Sequence, residues 1–175
     1  MKLLLTLAFM LPLLSCSPLW NKSSGSNPRP DGPATSYEYS YNGTMMYPIK
    51  YYSARRGADG AVRIAFLRNN EPEVRVIAGP ENFFARVDAL VAEYGLHRLK
   101  ESYRPRMEVL DGYDWHVRIR FRENSIYSGG FNAGPSGKLA TGIAAINQYV
   151  ESLIDASSEE EVIFRQDYQE YLEQE

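Results

Sequence analysis

The sequence predicts an α+β fold, an antiparallel β-sheet built from a meander plus a hairpin, with two or three helices packed mainly on one face. Short segments of period-two alternation, bounded by turn residues, fall into two groups. Two longer stretches carry apolar residues at helical spacing, one between the groups and one after them. The order of meander, helix, second β section and helix is that of an antiparallel sheet with its helices on one side.

The elements follow in chain order. Tyr37, Tyr39 and Tyr41 alternate with Glu38, Ser40 and Asn42, which reads as a half-buried strand, and Asn42-Gly43 is a tight-turn signal. The segment from Tyr47 to Tyr52 reads as the next strand, with Pro48 placing it at an edge or a bulge. Asp59-Gly60 turns the chain into Val62-Arg63-Ile64-Ala65-Phe66, and Val74-Arg75-Val76-Ile77 completes the meander. Pro80 and Glu81 have the chemistry of a first helical turn. Phe83, Phe84, Val87, Leu90, Val91 and Tyr94 then form one apolar stripe, which Gly95 ends. Met107 begins a second β section that leads through Asp111-Gly112 to the alternation from Trp115 to Arg122. In that run Trp115, Val117, Ile119 and Phe121 take the core side. Glu123-Asn124 turns the chain into Ile126, and that strand runs to Phe131. Leu139, Ile143, Ile146, Val150 and Leu153 share a face of a second helix, and the segment from Glu159 to Glu173 has the composition of a third.

Both ends differ in character from the middle. Lys2 precedes an almost wholly apolar run from Leu3 to Leu14, too short to cross a bilayer, which takes about 20 residues. It has the length of a signal-peptide core. The run closes on Leu13-Leu14-Ser15-Cys16, which resembles the lipobox of bacterial lipoprotein precursors. The resemblance implies that residues 1–15 are removed and that Cys16 becomes the lipid-bearing first residue of an exported protein. Ser17 in place of Asp then leans towards the outer membrane over the inner. Cys16 is the only cysteine, so its lipidation leaves no disulfide within the chain. Residues 16–36 are rich in Ser, Gly and Pro and read as a flexible tether. Residues 37–155 form the α+β domain, and residues 156–175 an acidic C-terminal helix.

The net charge is −3, with Arg outnumbering Lys by 14 to 5, and the split along the chain says more than the total. Residues 37–154 hold 15 basic and 13 acidic side chains, whereas residues 155–175 hold Arg165 against eight acids. This balance argues against a nucleic-acid partner.

Familiar catalytic patterns fail on inspection. Asn132-Ala133-Gly134-Pro135-Ser136-Gly137-Lys138-Leu139 superficially matches a phosphate loop, but its first glycine is Asn132 and its magnesium-binding hydroxyl is Leu139. Ser136 reads as the cap of the second helix, and Ser136 with Gly137 as an anion site at that helix start. His97 and His116 belong to no metal-ligand pattern, so neither a metal nor a cofactor is expected. Asp111-Gly112 is turn chemistry. The 13 tyrosines invite sugar stacking, yet they equally suit strands and half-buried faces, which is the reading favoured here.

The arginines are more informative. Arg118, Arg120 and Arg122 share the polar face of one strand with His116, and Arg63 and Arg75 take polar positions in two others. If those strands are neighbours, their uncovered face offers guanidinium groups to an acidic protein, a lipid head group or a polyanionic glycan. The tail would fold back, bury Val162, Ile163 or Phe164, and turn carboxylates towards Arg118, Arg120 or Arg122. The segment from Asp111 to Pro135 is similar to a motif of uncharacterised exported bacterial domains and implies a small α+β domain. The expected function is therefore that of a membrane-anchored binding or accessory domain of the cell envelope. A small hydrolase and an inhibitor-like or envelope-maintenance protein are the alternatives.

Overall fold

The computed structural model describes residues 26–43, 49–67, 71–107 and 111–173. Residues 1–15 and Cys16 lie outside them, as do Tyr47 and Pro48. The fold is α+β, as the pattern predicts. The strands are β1 (Ser36–Asn42), β2 (Lys50–Arg56), β3 (Val62–Leu67), β4 (Glu73–Gly79), β5 (Ser102–Tyr103), β6 (Asp114–Arg120), β7 (Ser125–Phe131) and β8 (Val162–Asp167). The helices are α1 (Phe83–Tyr94), α2 (Lys138–Ala156) and the short α3 (Tyr168–Glu173). All eight strands form one sheet in the order β5-β7-β6-β1-β2-β3-β4-β8. Every neighbouring pair is antiparallel except β5 with β7.

The meander β1 to β4 and the hairpin β6–β7 are joined through β1, which pairs with β2 on one side and β6 on the other. Tyr37, Tyr52, Ile64, Ile77, Val117 and Ile119 turn to the side where α1 and α2 pack. Full burial of one such aliphatic or aromatic side chain contributes about 1.5–3 kcal/mol, so this layer holds the domain together. The stripe of α1 is buried as its spacing predicts, and Gly95 closes the helix at φ 66°. In α2, Ile143, Ile146 and Val150 are buried together with Gly142, which packs beneath Tyr94 and Leu96. Trp115 is buried and donates from Nε1 to the Ala133 carbonyl at 2.7 Å. Gly130 lies in the same turn of structure, where a β-carbon would collide with that carbonyl.

Four expectations need correction. The second half of the tether is fixed on the domain. Asn27 is buried, donates from Nδ2 to the Leu99 carbonyl at 2.8 Å and accepts from the Tyr127 amide at 2.8 Å. Asp31 accepts from the Glu123 amide, Asn124 donates to the Arg29 carbonyl, and the Ala34 amide donates to Asp88. Residues 26–35 are thus a strap across the sheet edge and the start of α1's layer. Its prolines suit an extended course, and its side-chain and backbone hydrogen bonds replace the apolar burial it lacks. The second correction concerns the acidic tail, which is a strand followed by a helix of six residues. Val162 and Phe164 pair with Ile77 and Val76 of β4 as part of β8, with Ile163 bulged between them, because the open edge of β4 offers ladder partners that an isolated acidic helix would lack. Third, Met107 is exposed outside any strand, while Ser102 and Tyr103 supply the short edge strand instead. Fourth, α2 begins after Ser136, with Gly137 in the capping position at φ 57° and no side-chain cap.

Replacing Asn27 with Ala leaves the Leu99 carbonyl and the Tyr127 amide without their partner and should lower the unfolding free energy by about 1–3 kcal/mol. Urea denaturation measures it. An unchanged midpoint would mean that the strap merely rests on the surface.

Candidate functional site

The sheet face away from α1 and α2 carries the charged side chains, and strand register sets their arrangement. Arg120 lies opposite Ser36, Ser36 opposite Arg55, and Arg55 opposite Arg63, which makes one row across β6, β1, β2 and β3. In the next row Tyr127, Arg118, Glu38 and Ser53 stand side by side. The third row holds His116, Ser40 and Tyr51. Four arginines, two from β6 and one each from β2 and β3, therefore share this open face across four adjacent strands.

Local contacts hold the side chains in place. The Arg118 guanidinium lies 5.3 Å from the centre of the Tyr127 ring, a cation–π contact. Arg63 makes two hydrogen bonds to the Asp59 carboxylate, at 2.6 and 3.0 Å, and these bring the Asp59 pKa down to about 2. Glu38 reaches His116 Nε2 at 3.2 Å. That hydrogen bond holds the Glu38 carboxyl below its usual value against the opposing effect of burial, helped by the charges of His116, Arg118 and Arg55. On its other side, His116 Nδ1 is 2.8 Å from Ser40 Oγ. Serine, imidazole and carboxylate thus stand in sequence, as a hydrolytic triad requires. However, Ser40 is only 3% exposed, and strands on both sides occupy the backbone of β1, which leaves no donors there for an oxyanion. The array orders the face rather than presenting a nucleophile.

The open face continues into a groove of about 690 Å³ beside β7, where Arg104, Arg106, Asp114, His116 and Phe131 are among the lining residues. Towards the other end, Tyr168 and Tyr171 of α3 roof Tyr51, Leu67 and Val74. Among the described residues no group of three His, Cys, Asp or Glu side chains is placed to hold a metal ion. No described helix is long and apolar enough to cross a membrane.

The expected site residues divide clearly. Arg63, Arg118 and Arg120 come together. Arg55 joins them, although the sequence reading passed over it; its signal was the same polar phase as Arg63 beside buried Ala54. Arg75 does not join. It registers opposite Phe66, on the helix side, where Glu71 and Glu159 bind its guanidinium. The polarity of β4 is inverted because α3 covers the open face there, so Val74 and Val76 take that side. Arg122 lies past the end of β6, in the turn, beside Gly32 of the strap. Ser136 and Gly137 stand at the start of α2, in the helix layer and apart from the arginines. The tail carboxylate Glu159 binds Arg75 and Arg165, not Arg118, Arg120 or Arg122, because β8 docks at the opposite edge of the sheet.

The tyrosines are mainly structural. Tyr37, Tyr51 and Tyr52 are buried, and Tyr37 and Tyr52 donate to Asn147 and Glu151 of α2. Burial pushes the Tyr39 phenol up to about 12, so it remains a neutral donor at physiological pH. Tyr39, Tyr41 and Tyr113 line a shallow groove of about 310 Å³ with Trp115, on the helix side. No protein-family model matches the chain, and no curated protein matches it.

The Glu38 carboxyl is held below its unfolded value, so its contribution to stability is present above the ordinary carboxylate range. It is lost as pH falls through the lowered folded value. Urea titrations from neutral to acid pH should show wild type more stable than Glu38→Gln at neutral pH, with the gap closing on acidification. A gap that widens in acid would contradict the contact.

Proposed function

We propose that the protein is a lipid-anchored, non-enzymatic binding protein of the bacterial cell envelope, whose open sheet face takes a polyanionic partner. The observation that carries this reading is the presence of Arg55, Arg63, Arg118 and Arg120 on one uncovered face. Guanidinium groups stay charged at any physiological pH and match carboxylates or phosphates with paired donors. Strand spacing of about 4.8 Å puts Arg55 and Arg63 one step apart and Arg120 about 10 Å from Arg55. That spread suits a chain of acidic groups better than one small anion. In the docked tail the Glu159 carboxylate goes to Arg75 and Arg165, at the far edge of the sheet from Arg118 and Arg120.

The anchor is supported by the sequence of the first 16 residues alone. The apolar run and Leu13-Leu14-Ser15-Cys16 match the chemistry that attaches lipid to Cys16. Each buried methylene contributes about 0.8 kcal/mol, so several acyl chains hold a domain at a membrane surface. Ser17 favours the outer membrane.

Two measurements test the two halves. Cells fed labelled fatty acid should incorporate label into the wild-type chain and not into Cys16→Ser; label retained by Cys16→Ser would remove the anchor from the proposal. On a sulfated-polysaccharide resin, the double variant Arg118→Gln/Arg120→Gln should elute at clearly lower salt than wild type, with an unchanged melting temperature. Elution at the same salt would dispose of the open face as a polyanion site.

A further inference from the structure

The two edges of the sheet carry opposite charge. At the β5 edge, the stretch from Arg98 to Met107 holds four basic residues, Arg98, Lys100, Arg104 and Arg106, against one acid, Glu101. All four bases are exposed, and among the described residues none of them is in an ion pair. Asp114 lines the groove with Arg104 and Arg106 as a second acid, so the edge keeps an excess of positive charge. At the β8 edge, the stretch from Glu159 to Glu173 holds six acids against Arg165. Acids prevail there even with Arg75 counted against Glu159. Seven strand spacings of about 4.8 Å put the two edges roughly 34 Å apart.

Apolar exposure does not by itself choose between the edges. Met107 is 79% exposed and Phe131 42%, both at the groove beside β5 and β7, while Ile163 and Phe164 are exposed on β8. The course of the chain does choose. Ser26, where the described chain begins, is bridged to Lys100 just before β5. Cys16 is ten residue steps earlier, and a chain spans at most about 3.6 Å per residue, so Ser26 stays within roughly 36 Å of Cys16. The acidic β8 edge can lie about twice as far away. A membrane bearing Cys16 therefore meets the basic edge first, at the high local concentration that a short tether imposes.

We propose that the β5 edge rests on an anionic phospholipid surface, the one that holds the acyl chains of Cys16. Lys100, Arg104 and Arg106 lie against lipid phosphates, and Met107 and Phe131 enter the head-group layer. Long basic side chains suit that boundary, because their stems pack among apolar groups while their charges stay in water. The guanidinium groups of Arg104 and Arg106 match phosphate with paired donors. A basic patch is also the kind of second signal that makes acyl anchorage stable. Anionic lipid attracts bases only within a Debye length, about 8 Å at physiological salt, so the edge and its loop gain most. The same surface repels the acids of the β8 edge, and both ends of the asymmetry favour one orientation. The sheet then stands edge-on to the bilayer. Arg55 and Arg63, four and five strand spacings from β5, lie well beyond a Debye length and remain open to a partner. The inference deepens the proposed function by naming the surface that meets the membrane, and it rests on the acylation of Cys16.

The test is site-specific fluorescence quenching on the full chain as cells process it, reconstituted in vesicles of phosphatidylethanolamine and phosphatidylglycerol that carry a brominated lipid. Cys16 is the only cysteine, and acylation leaves it no thiol, so one introduced cysteine takes a fluorophore alone. Ser102→Cys puts the label on β5 and Ile163→Cys on β8, both at exposed positions. The label at position 102 should be quenched at least threefold more strongly than the label at position 163. Leaving out phosphatidylglycerol, or adding Arg104→Gln/Arg106→Gln to the Ser102→Cys chain, should lower that quenching at least twofold, and Met107→Ser should also lower it. Arg118→Gln/Arg120→Gln, on the open face, should leave it unchanged. Melting curves of each variant confirm folding. Equal quenching at the two positions, or stronger quenching at position 163, overturns the inference. So does quenching at position 102 that survives both the loss of phosphatidylglycerol and Arg104→Gln/Arg106→Gln, because the tether alone then holds the edge near the lipid. Ser102→Cys chains that crosslink to one another and show no lipid quenching overturn it too, since a second copy then covers the edge. A chain that carries no fatty acid on Cys16 and does not float with the vesicles removes the anchor and the orientation together. An acylated, vesicle-bound chain with equal quenching removes the orientation alone.

Discussion

Strand β1 carries the constraint on which the rest depends, because it hydrogen-bonds to strands from two separate parts of the chain. On one side β2 follows it closely in sequence, and on the other β6 returns after more than 70 residues. The strict alternation of β1 then assigns every neighbour to a layer. Tyr37 and Tyr39 lie in register with Val117 and Ile119 under the helices, while Glu38 and Ser40 lie beside Arg118 and His116 on the open face. A shift of one residue would exchange the two sets, placing Tyr37 in solvent and Glu38 in the core, so the register is strongly determined.

The two faces solve the problem of polar groups in different ways. On the helix side the tyrosine hydroxyls of β1 and β2 are kept neutral by burial and donate to Asn147 and Glu151 of α2. They fasten the long helix to the sheet without placing a charge in the core. On the open side the charges remain, and partial exposure lets Glu38, His116, Asp59 and the arginines form short local pairs rather than a buried network. Such pairs contribute only about 0–1 kcal/mol each at a surface. Their consequence is geometric: the guanidinium groups are held in rows that an anion can meet.

Both ends of the described chain close edges of this sheet. The strap from Ser26 to Thr35 binds across β7 and the turn after β6 through Asn27, Arg29 and Asp31. At the opposite edge β8 pairs with β4, and α3 folds its tyrosines back over Tyr51. The bulge at Ile163 interrupts regular pairing there, between Phe164 opposite Val76 and Val162 opposite Ile77, and Ile163 and Phe164 remain exposed.

Local patterning was enough to determine the α+β class, the two long helices and their buried stripes, the inward side of Trp115, and the outward side of Arg63, Arg118 and Arg120. These follow from periodicity, which reports which side of an element meets the core. Sequence did not show that β6 lies beside β1, so the contact of Glu38 and Ser40 with His116 and the membership of Arg55 were hidden. Partners more than 70 residues apart leave no trace in either segment's own period. Periodicity misled where a second covering layer was present: Arg75 was expected on the open face, but α3 makes that side of β4 apolar, so Val74 and Val76 take it and Arg75 turns away. The strap and β8 escaped for a related reason. Neither has a strong apolar pattern of its own, and both are held mainly by hydrogen bonds to backbone groups, which any sequence can offer and only the assembled sheet exposes.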